Sequence, residues 1–192
     1  MEHSPEVIDY CSQLYAPTFG PLLMKLENTL KSFSRKVAGI GHLNYWERIK
    51  ILNLYSVGRR NERYRILYSY KSINGLSPKC GLVVEQSERN GRFIKTRNMG
   101  TFYNGLRSSS FHYNAPRLFN LLPRYLRDDT KSTYPEWKVK LDELLEMVPD
   151  NPHTLESTPG LCDVNRNNSP TNSLIFWLPH LKLNNRRAQN KK

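Results

Sequence analysis

Apolar residues recur at steps of three and four along several stretches of the chain, and this spacing predicts amphipathic helices. The first helix is predicted over about 21–37. Its inward stripe consists of Leu22, Leu23, Leu26, Leu30, Phe33 and Val37. A second, short helix follows, with Asn44 as its N-cap and Glu47 as the acid of a capping box. Ser56 caps a third helix that runs to Ile73, where the pattern ends before an Asn-Gly pair.

The middle of the chain has weaker signals. Ser, Asn, Gly and Lys dominate from 76 to about 101, and only 81–84 and 93–95 have the apolar character of short strands. A short helix is predicted over 111–122, and Pro116 inside it should kink or split it. This part of the chain is therefore predicted to be rich in loops.

The clearest helix of the C-terminal half begins after Thr133. Its inward stripe consists of Trp137, Leu141, Leu144, Leu145 and Val148. The pattern as a whole predicts a mainly α fold: a small, irregular helical domain over 20–148 with a loop-rich middle. A lead-in segment, 1–19, precedes it. The segment 149–192 is rich in Pro, Asn and Ser without periodicity, which predicts a flexible, disordered tail.

Charge adds the first indication of function. The formal net charge is +12, and residues 25–131 carry 21 Lys and Arg against 7 Asp and Glu. Such a regional excess indicates an acidic partner, most commonly a nucleic acid. The N-terminus lacks the pattern of a signal peptide, and no apolar run has the length of a membrane span. We therefore expect an intracellular protein, nuclear or cytoplasmic, that is not secreted and has no membrane partner.

The residues that usually carry catalysis or bind cofactors do not form recognisable motifs. The three cysteines are far apart, and the five histidines are scattered singly, so neither a metal site nor a disulfide framework is predicted. Asp128 and Asp129 are the one adjacent pair of aspartates, and their polar context favours exposed loop carboxylates over a two-metal centre. No glycine-rich phosphate loop or nucleophile elbow is present. We expect no enzymatic activity and no cofactor.

The strongest candidate for a binding surface is the first half of the third helix. Four arginines lie there: Arg59, Arg60, Arg63 and Arg65. A helix N-terminus already carries partial positive charge, and the two acidic neighbours, Glu47 and Glu62, are too few to neutralise these side chains. We therefore predict that the four arginines contact phosphates, with Lys71 and Arg97 as further contacts. The open alternative is a solvated face that Glu62 neutralises in part.

Three segments, taken in order, resemble a known family. They are VIDYCSQLYAP at 7–17, the long basic helical stretch 26–78, and PRLFNLLPRYLRDDTKSTYPEWKVKLDELL at 116–145. Together they resemble the region that follows the reverse-transcriptase domain in polyproteins of non-LTR (LINE-type, jockey-like) retrotransposons. The polymerase motif with paired aspartates after an aromatic residue is missing from this chain, so the family's catalytic residues cannot be assigned to it.

The resemblance implies a parent RNA-directed DNA polymerase whose C-terminal region helps to hold template RNA or target DNA. For this chain it implies a non-catalytic fragment that binds RNA or DNA through backbone contacts, without sequence preference. Two alternatives stay open. One is a structural remnant whose basic face packed on the polymerase core, and the other is a non-functional relic of the element.

Overall fold

The computed structural model of the protein describes residues 21–78, 80–96 and 110–148, together with Asp150, Leu174 and Leu178. The predicted lead-in segment, 1–19, and most of the predicted tail, 149–192, lie outside this description. In chain order the bounded elements are α1 (Pro21–Arg35), α2 (Tyr45–Ile51), α3 (Val57–Ile73), β1 (Val84–Ser87), β2 (Gly91–Ile94), α4 (Phe111–Leu121), α5 (Arg124–Arg127) and α6 (Tyr134–Glu146). The prediction of a mainly α fold is confirmed.

The described residues form two compact units, and the boundary between them lies within α3, between Arg63 and Tyr64. Unit 1 contains residues 21–63 and Asp150, and unit 2 contains the remainder. The stretch 20–148, predicted as one domain, thus contributes to both units. No helix among the described residues is long and apolar enough to cross a membrane.

Unit 1 has a small apolar core, and α1 faces it differently from the prediction. The core consists of Leu30, Tyr45, Ile49 and Val57, with Leu23, Trp46 and Leu54 packed against it. Leu26 is 37% exposed and Phe33 is 61% exposed, whereas Ser34 is completely buried. The side of α1 that turns inward therefore includes Ser34 and the half-buried Glu27, because both have hydrogen-bond partners on later elements.

The capping box predicted for α2 is confirmed. The side-chain oxygen of Asn44 accepts a hydrogen bond from the Glu47 N–H at 3.0 Å, and the Glu47 carboxylate accepts one from the Asn44 N–H at 3.1 Å. These two bonds satisfy backbone donors that a helix start leaves without intrahelical partners. They fix the point at which the chain turns into α2.

In unit 2, β1 and β2 form an antiparallel hairpin in which Val84 pairs with Ile94 and Ser87 pairs with Gly91. Both strands are displaced from the segments that the sequence favoured, 81–84 and 93–95. Three residues separate Ser87 from Gly91, and Gly91 has φ of +68°, the conformation that closes three-residue hairpin loops and favours glycine. The turn between Ser87 and Gly91 thus sets the register of the two strands, and the apolar runs at 81–84 and 93–95 do not.

The core of unit 2 is centred on Trp137 of α6. Its indole ring stacks on the ring of Tyr70 with centroids 3.9 Å apart, and its Nε1–H donates to the Leu126 carbonyl at 2.8 Å. The predicted stripe of α6, from Trp137 to Val148, is buried as expected. Pro116 is also buried, and α4 continues through it to Leu121 without splitting.

Candidate nucleic-acid interface

The four arginines predicted to contact phosphates lie in the first half of α3, as expected, but most of their surface is covered. Arg59 is 1% exposed, Arg65 is 2% exposed and Arg60 is 8% exposed, while Arg63 is half-buried. A phosphate contact requires an accessible guanidinium group. The predicted role of these side chains therefore stays a prediction, and it requires them to become uncovered.

The negative charge that α3 needs at its start is supplied within unit 1. The Nε atom of Arg59 lies 3.7 Å from a carboxylate oxygen of Asp150, and its Nη1 lies 3.9 Å from the carboxylate of Glu62. Asp150 also accepts hydrogen bonds from the N–H and the hydroxyl of Ser56, at 2.6 and 2.7 Å. Asp150 is far from α3 in the sequence, so the local charge pattern does not predict this contact.

Glu27 is the second carboxylate at this helix start. It accepts a hydrogen bond from the Val57 N–H at 2.9 Å and another from the Tyr45 hydroxyl. Burial raises the pKa of Glu27 above its usual range, and burial together with the bond to Glu27 raises the pKa of the Tyr45 hydroxyl. Glu27 precedes α3 in the sequence and Asp150 follows it, and both carboxylates thus stabilise the positive N-terminal end of this helix.

Lys71 and Arg97 are the two further residues predicted to contact phosphates. The Lys71 side chain is half-buried, and its Nζ lies 4.4 Å from the ring centroid of Tyr134, within the range of a cation–π interaction. Arg97 lies outside the described residues. The predicted phosphate contacts of Lys71 and Arg97 therefore stay predictions.

An open cleft between α1 and α2 of unit 1 combines positive charge with aromatic rings. Its volume is about 450 Å³. The cleft is lined by Lys31, Arg35, Leu43, Asn44, Tyr45, Trp46 and Arg48. The sequence contains this signal, since basic residues of α1 and adjacent aromatics at the start of α2 are visible in it. What sequence reasoning lacked was the packing that brings the two helices together.

Arg48 ties the two walls of the cleft together. Its Nε donates to the Ser34 hydroxyl at 3.1 Å and its Nη2 to the Lys31 carbonyl at 3.4 Å, while Nη1 donates to the Leu43 carbonyl. The side chain is buried. These bonds hold the end of α1 against α2 and leave a positive charge beneath the cleft surface.

Lys31 and Arg35 form the accessible basic wall of the cleft. They are four residues apart on α1, so they lie one above the other on the same helix face, and both are exposed. Trp46 is half-buried, and its ring lies 4.9 Å from that of Tyr45 at an angle of 58°. Exposed cations beside an aromatic ring are the side chains with which proteins hold nucleic-acid backbones and stack bases.

The cleft lies in a basic part of the chain. Residues 21–51 contain six Lys and Arg and two Glu. Beyond the cleft, the exposed cations of this stretch are Lys25, Lys36 and Lys50. A polyanion held at the cleft would therefore meet further positive charge along α1 and α2.

The paired aspartates of unit 2 are each engaged by their own partners. Asp128 accepts from the Arg92 N–H at 2.6 Å and from Arg124 Nε at 3.2 Å. Asp129 accepts from Lys140 Nζ at 2.7 Å and from the Ser132 N–H at 3.0 Å. They are less exposed than the loop carboxylates we predicted. No group of three or more His, Cys, Asp or Glu among the described residues could hold a metal ion.

The chain was compared with models of protein families, with curated proteins and with solved structures. None of the three comparisons found a match.

Proposed function

We propose that this chain is a non-catalytic, nucleic-acid-binding part of a retrotransposon reverse-transcriptase polyprotein. It acts inside the cell and holds RNA or DNA by contacts to the phosphate backbone, without reading sequence. The observation that carries the proposal is the pair of exposed cations, Lys31 and Arg35, on one face of α1 beside the aromatic wall of the cleft. The resemblance of 26–78 and 116–145 to the region after the polymerase domain supports the assignment to such an element.

The contacts proposed here differ from those that the charge pattern first indicated. Lys31 and Arg35 are accessible, whereas Arg59, Arg60 and Arg65 are buried. Lysine and arginine that neutralise phosphates release condensed counterions, so binding weakens as salt rises. The accessible pair should therefore contribute to the salt dependence directly.

The test is a salt series with mixed-sequence single-stranded RNA and with duplex DNA. If each side chain meets one phosphate, Lys31→Gln with Arg35→Gln should lower the salt slope by about 1.4 units for single strands and about 1.8 units for the duplex. The matched control is Lys131→Gln with Lys138→Gln, which removes the same charge from exposed positions of unit 2. Circular dichroism checks the fold of both variants.

Two results would contradict the proposal. One is the absence of binding by the unaltered protein at low salt. The other is an equal change of slope in the cleft variant and the control, since the effect would then come from net charge alone.

A second candidate function is a structural one, packing on the polymerase core of the parent protein. It is favoured by large apolar side chains exposed on α1 and α2, namely Met24, Phe33 and Ile51. Exposed apolar surface often marks a protein contact. If this candidate is right, Phe33→Ser and Ile51→Ser should improve the solubility of the isolated chain, and Lys31→Gln with Arg35→Gln should not alter its weak binding to nucleic acid.

A further inference from the structure

We infer that the cleft between α1 and α2 seats an unpaired base against Trp46, so that the protein binds single strands in preference to duplexes. This inference rests on the proposed function and adds the class of nucleic acid to it. The cleft of about 450 Å³ falls within the range of roughly 300–1,000 Å³ typical of small-molecule sites. An unpaired base can enter such a recess, whereas the bases of a duplex are stacked on one another inside the helix.

The aromatic wall is held in place before any ligand arrives. Trp46 packs against the core of unit 1, and its ring is tilted against that of Tyr45. The Tyr45 hydroxyl is bonded to Glu27, which fixes the neighbouring ring as well. A ring that is already ordered loses little conformational entropy when a base stacks on it, and such preorganisation favours binding.

The polar side chains of the cleft are mostly engaged within the protein. The Asn44 side-chain oxygen accepts from the Glu47 N–H, and all three nitrogens of Arg48 have acceptors of their own. The Tyr45 hydroxyl is used by Glu27. These groups are therefore poorly suited to form specific hydrogen bonds with base edges. The face of Trp46 can stack on any base, because every base has a π-face.

The positive charge is placed to accompany a stacked base. Lys31 and Arg35 stand one helical turn apart on the wall opposite α2, and both are exposed. In a single strand each base is flanked by backbone phosphates, so a base inside the cleft brings phosphates to its rim. The same site thus combines stacking by Trp46 with backbone contacts by the two cations.

The test compares three probes of equal length: mixed-sequence single-stranded DNA, an abasic strand with the same backbone, and a duplex. The unaltered protein should bind the base-bearing strand at least about fivefold more tightly than the abasic strand, the lower limit for one base stacked on an aromatic ring. Trp46→Leu keeps an apolar, though smaller, side chain at this position and removes the π-face. It should weaken binding to the base-bearing strand by roughly 5- to 150-fold, and Trp46→Phe should weaken it less.

Binding of the abasic strand and the duplex should be the same in both Trp46 variants, and circular dichroism checks their fold. An equal loss on all three probes, or no loss on any, would overturn the inference. If Trp46→Leu does not fold, the comparison of base-bearing and abasic strands in the unaltered protein decides alone. Equal affinity for all probes, with a salt slope that still responds to Lys31→Gln and Arg35→Gln, removes the base-seating inference and leaves the proposed function standing. Failure to bind any probe removes both.

Discussion

Asp150 accepts two hydrogen bonds from Ser56, one from its N–H at 2.6 Å and one from its hydroxyl at 2.7 Å, although the two are 94 positions apart in the sequence. Ser56 immediately precedes α3, and its hydroxyl oxygen also accepts the Arg59 N–H at 3.1 Å. The Asp150 carboxylate thus contacts both the residue that precedes α3 and the first arginine of that helix. The positive charge at this helix end is compensated by the chain itself.

Replacing Arg59 by glutamine should therefore destabilise the protein. The change removes the cation that lies 3.7 Å from the Asp150 carboxylate in a largely buried setting, and breaking a buried ion pair costs about 3–5 kcal/mol. Arg35→Gln is the control, because Arg35 is exposed on α1 and should alter the free energy of unfolding by less than about 1 kcal/mol. Urea denaturation followed by circular dichroism measures both. Similar small effects would mean that Arg59 is not held by a stabilising ion pair.

Two effects require glycine at position 91, its backbone conformation and the closeness of Asp128, and their contributions to stability can be measured separately. A Cβ at position 91 would lie 2.5 Å from a carboxylate oxygen of Asp128, whereas a Cβ at Gly75 would meet nothing within 4 Å. Both glycines have positive φ, +68° and +73°. Alanine at either site should cost about 1–2 kcal/mol for the left-handed backbone, and Gly91→Ala should cost about 1–3 kcal/mol more for the collision.

Thermal or urea unfolding of the two glycine variants provides the comparison. Equal destabilisation would show that Asp128 moves aside without loss, so that only the backbone conformation requires glycine at position 91. Under the expected outcome the Arg92 amide should also exchange faster in Gly91→Ala, because the collision displaces Asp128 from its 2.6 Å hydrogen bond with that amide.

Asn120 pairs with β2 as a neighbouring strand would. Its side-chain oxygen accepts from the Ile94 N–H and its side-chain N–H donates to the Ile94 carbonyl, both at 2.8 Å. Asn120→Asp would place a carboxylate oxygen against that carbonyl, which should cost about 2–3 kcal/mol and accelerate hydrogen exchange at Ile94. Asn120→Ala loses both bonds and leaves two buried backbone groups of Ile94 without this partner, so it should also destabilise the fold, by at least about 1–3 kcal/mol. The absence of destabilisation in both variants would contradict the paired geometry.

The stability of unit 2 should depend on the ionisation of Asp129. The hydrogen bond from the Lys140 ammonium group, with others from Ser132 and Lys131, holds the pKa of Asp129 below its usual range. A depressed folded-state pKa stabilises the fold above the unfolded-state pKa of about 3.9, and this contribution is lost as the pH falls through the folded-state pKa. The difference in unfolding free energy between the unaltered protein and Asp129→Asn should thus be constant from pH 7 to about pH 5 and shrink below about pH 4.

The unfolding free energy of Asp129→Asn must be subtracted at each pH, because Glu27 changes the pH dependence of stability in the opposite direction to Asp129. Burial raises its pKa, so its contribution to stability increases as the pH falls through that raised value. Lys140→Met is the second variant: it should raise the pKa of Asp129, as measured by NMR titration. A pKa that stays low without Lys140 would mean that the ammonium group is not the main cause.

The sequence predicted the helices better than it predicted their orientation. Asn44 with Glu47 and the stripe from Trp137 to Val148 were interpretable because the signals are local and fall within one turn or one helix. The inward face of α1 was not, since hydrophobic periodicity places Phe33 inside and Ser34 outside, and the structure shows the reverse. Ser34 is buried because Arg48 donates to it from another helix.

The candidate site could be predicted only in its residue types. Basic and aromatic residues mark a nucleic-acid surface in the sequence, but burial decides which of them can reach a ligand. Arg59 looked exposed because its compensating acid, Asp150, comes far later in the chain. Lys31 and Arg35 form a weaker charge signal in the sequence than the arginines of α3, but the cleft beside Trp46 gives them the clearer geometry.

The β1–β2 hairpin is held by residues that are distant from it in the sequence, and this bears on the order in which unit 2 folds. Its second strand is bonded to Asn120, to Asp128 and, through the Arg92 carbonyl, to Arg127. An isolated two-stranded hairpin is marginally stable in water. We therefore expect the hairpin to become persistent only after α4 and α5 have assembled, and so to form late although it spans a short stretch of chain.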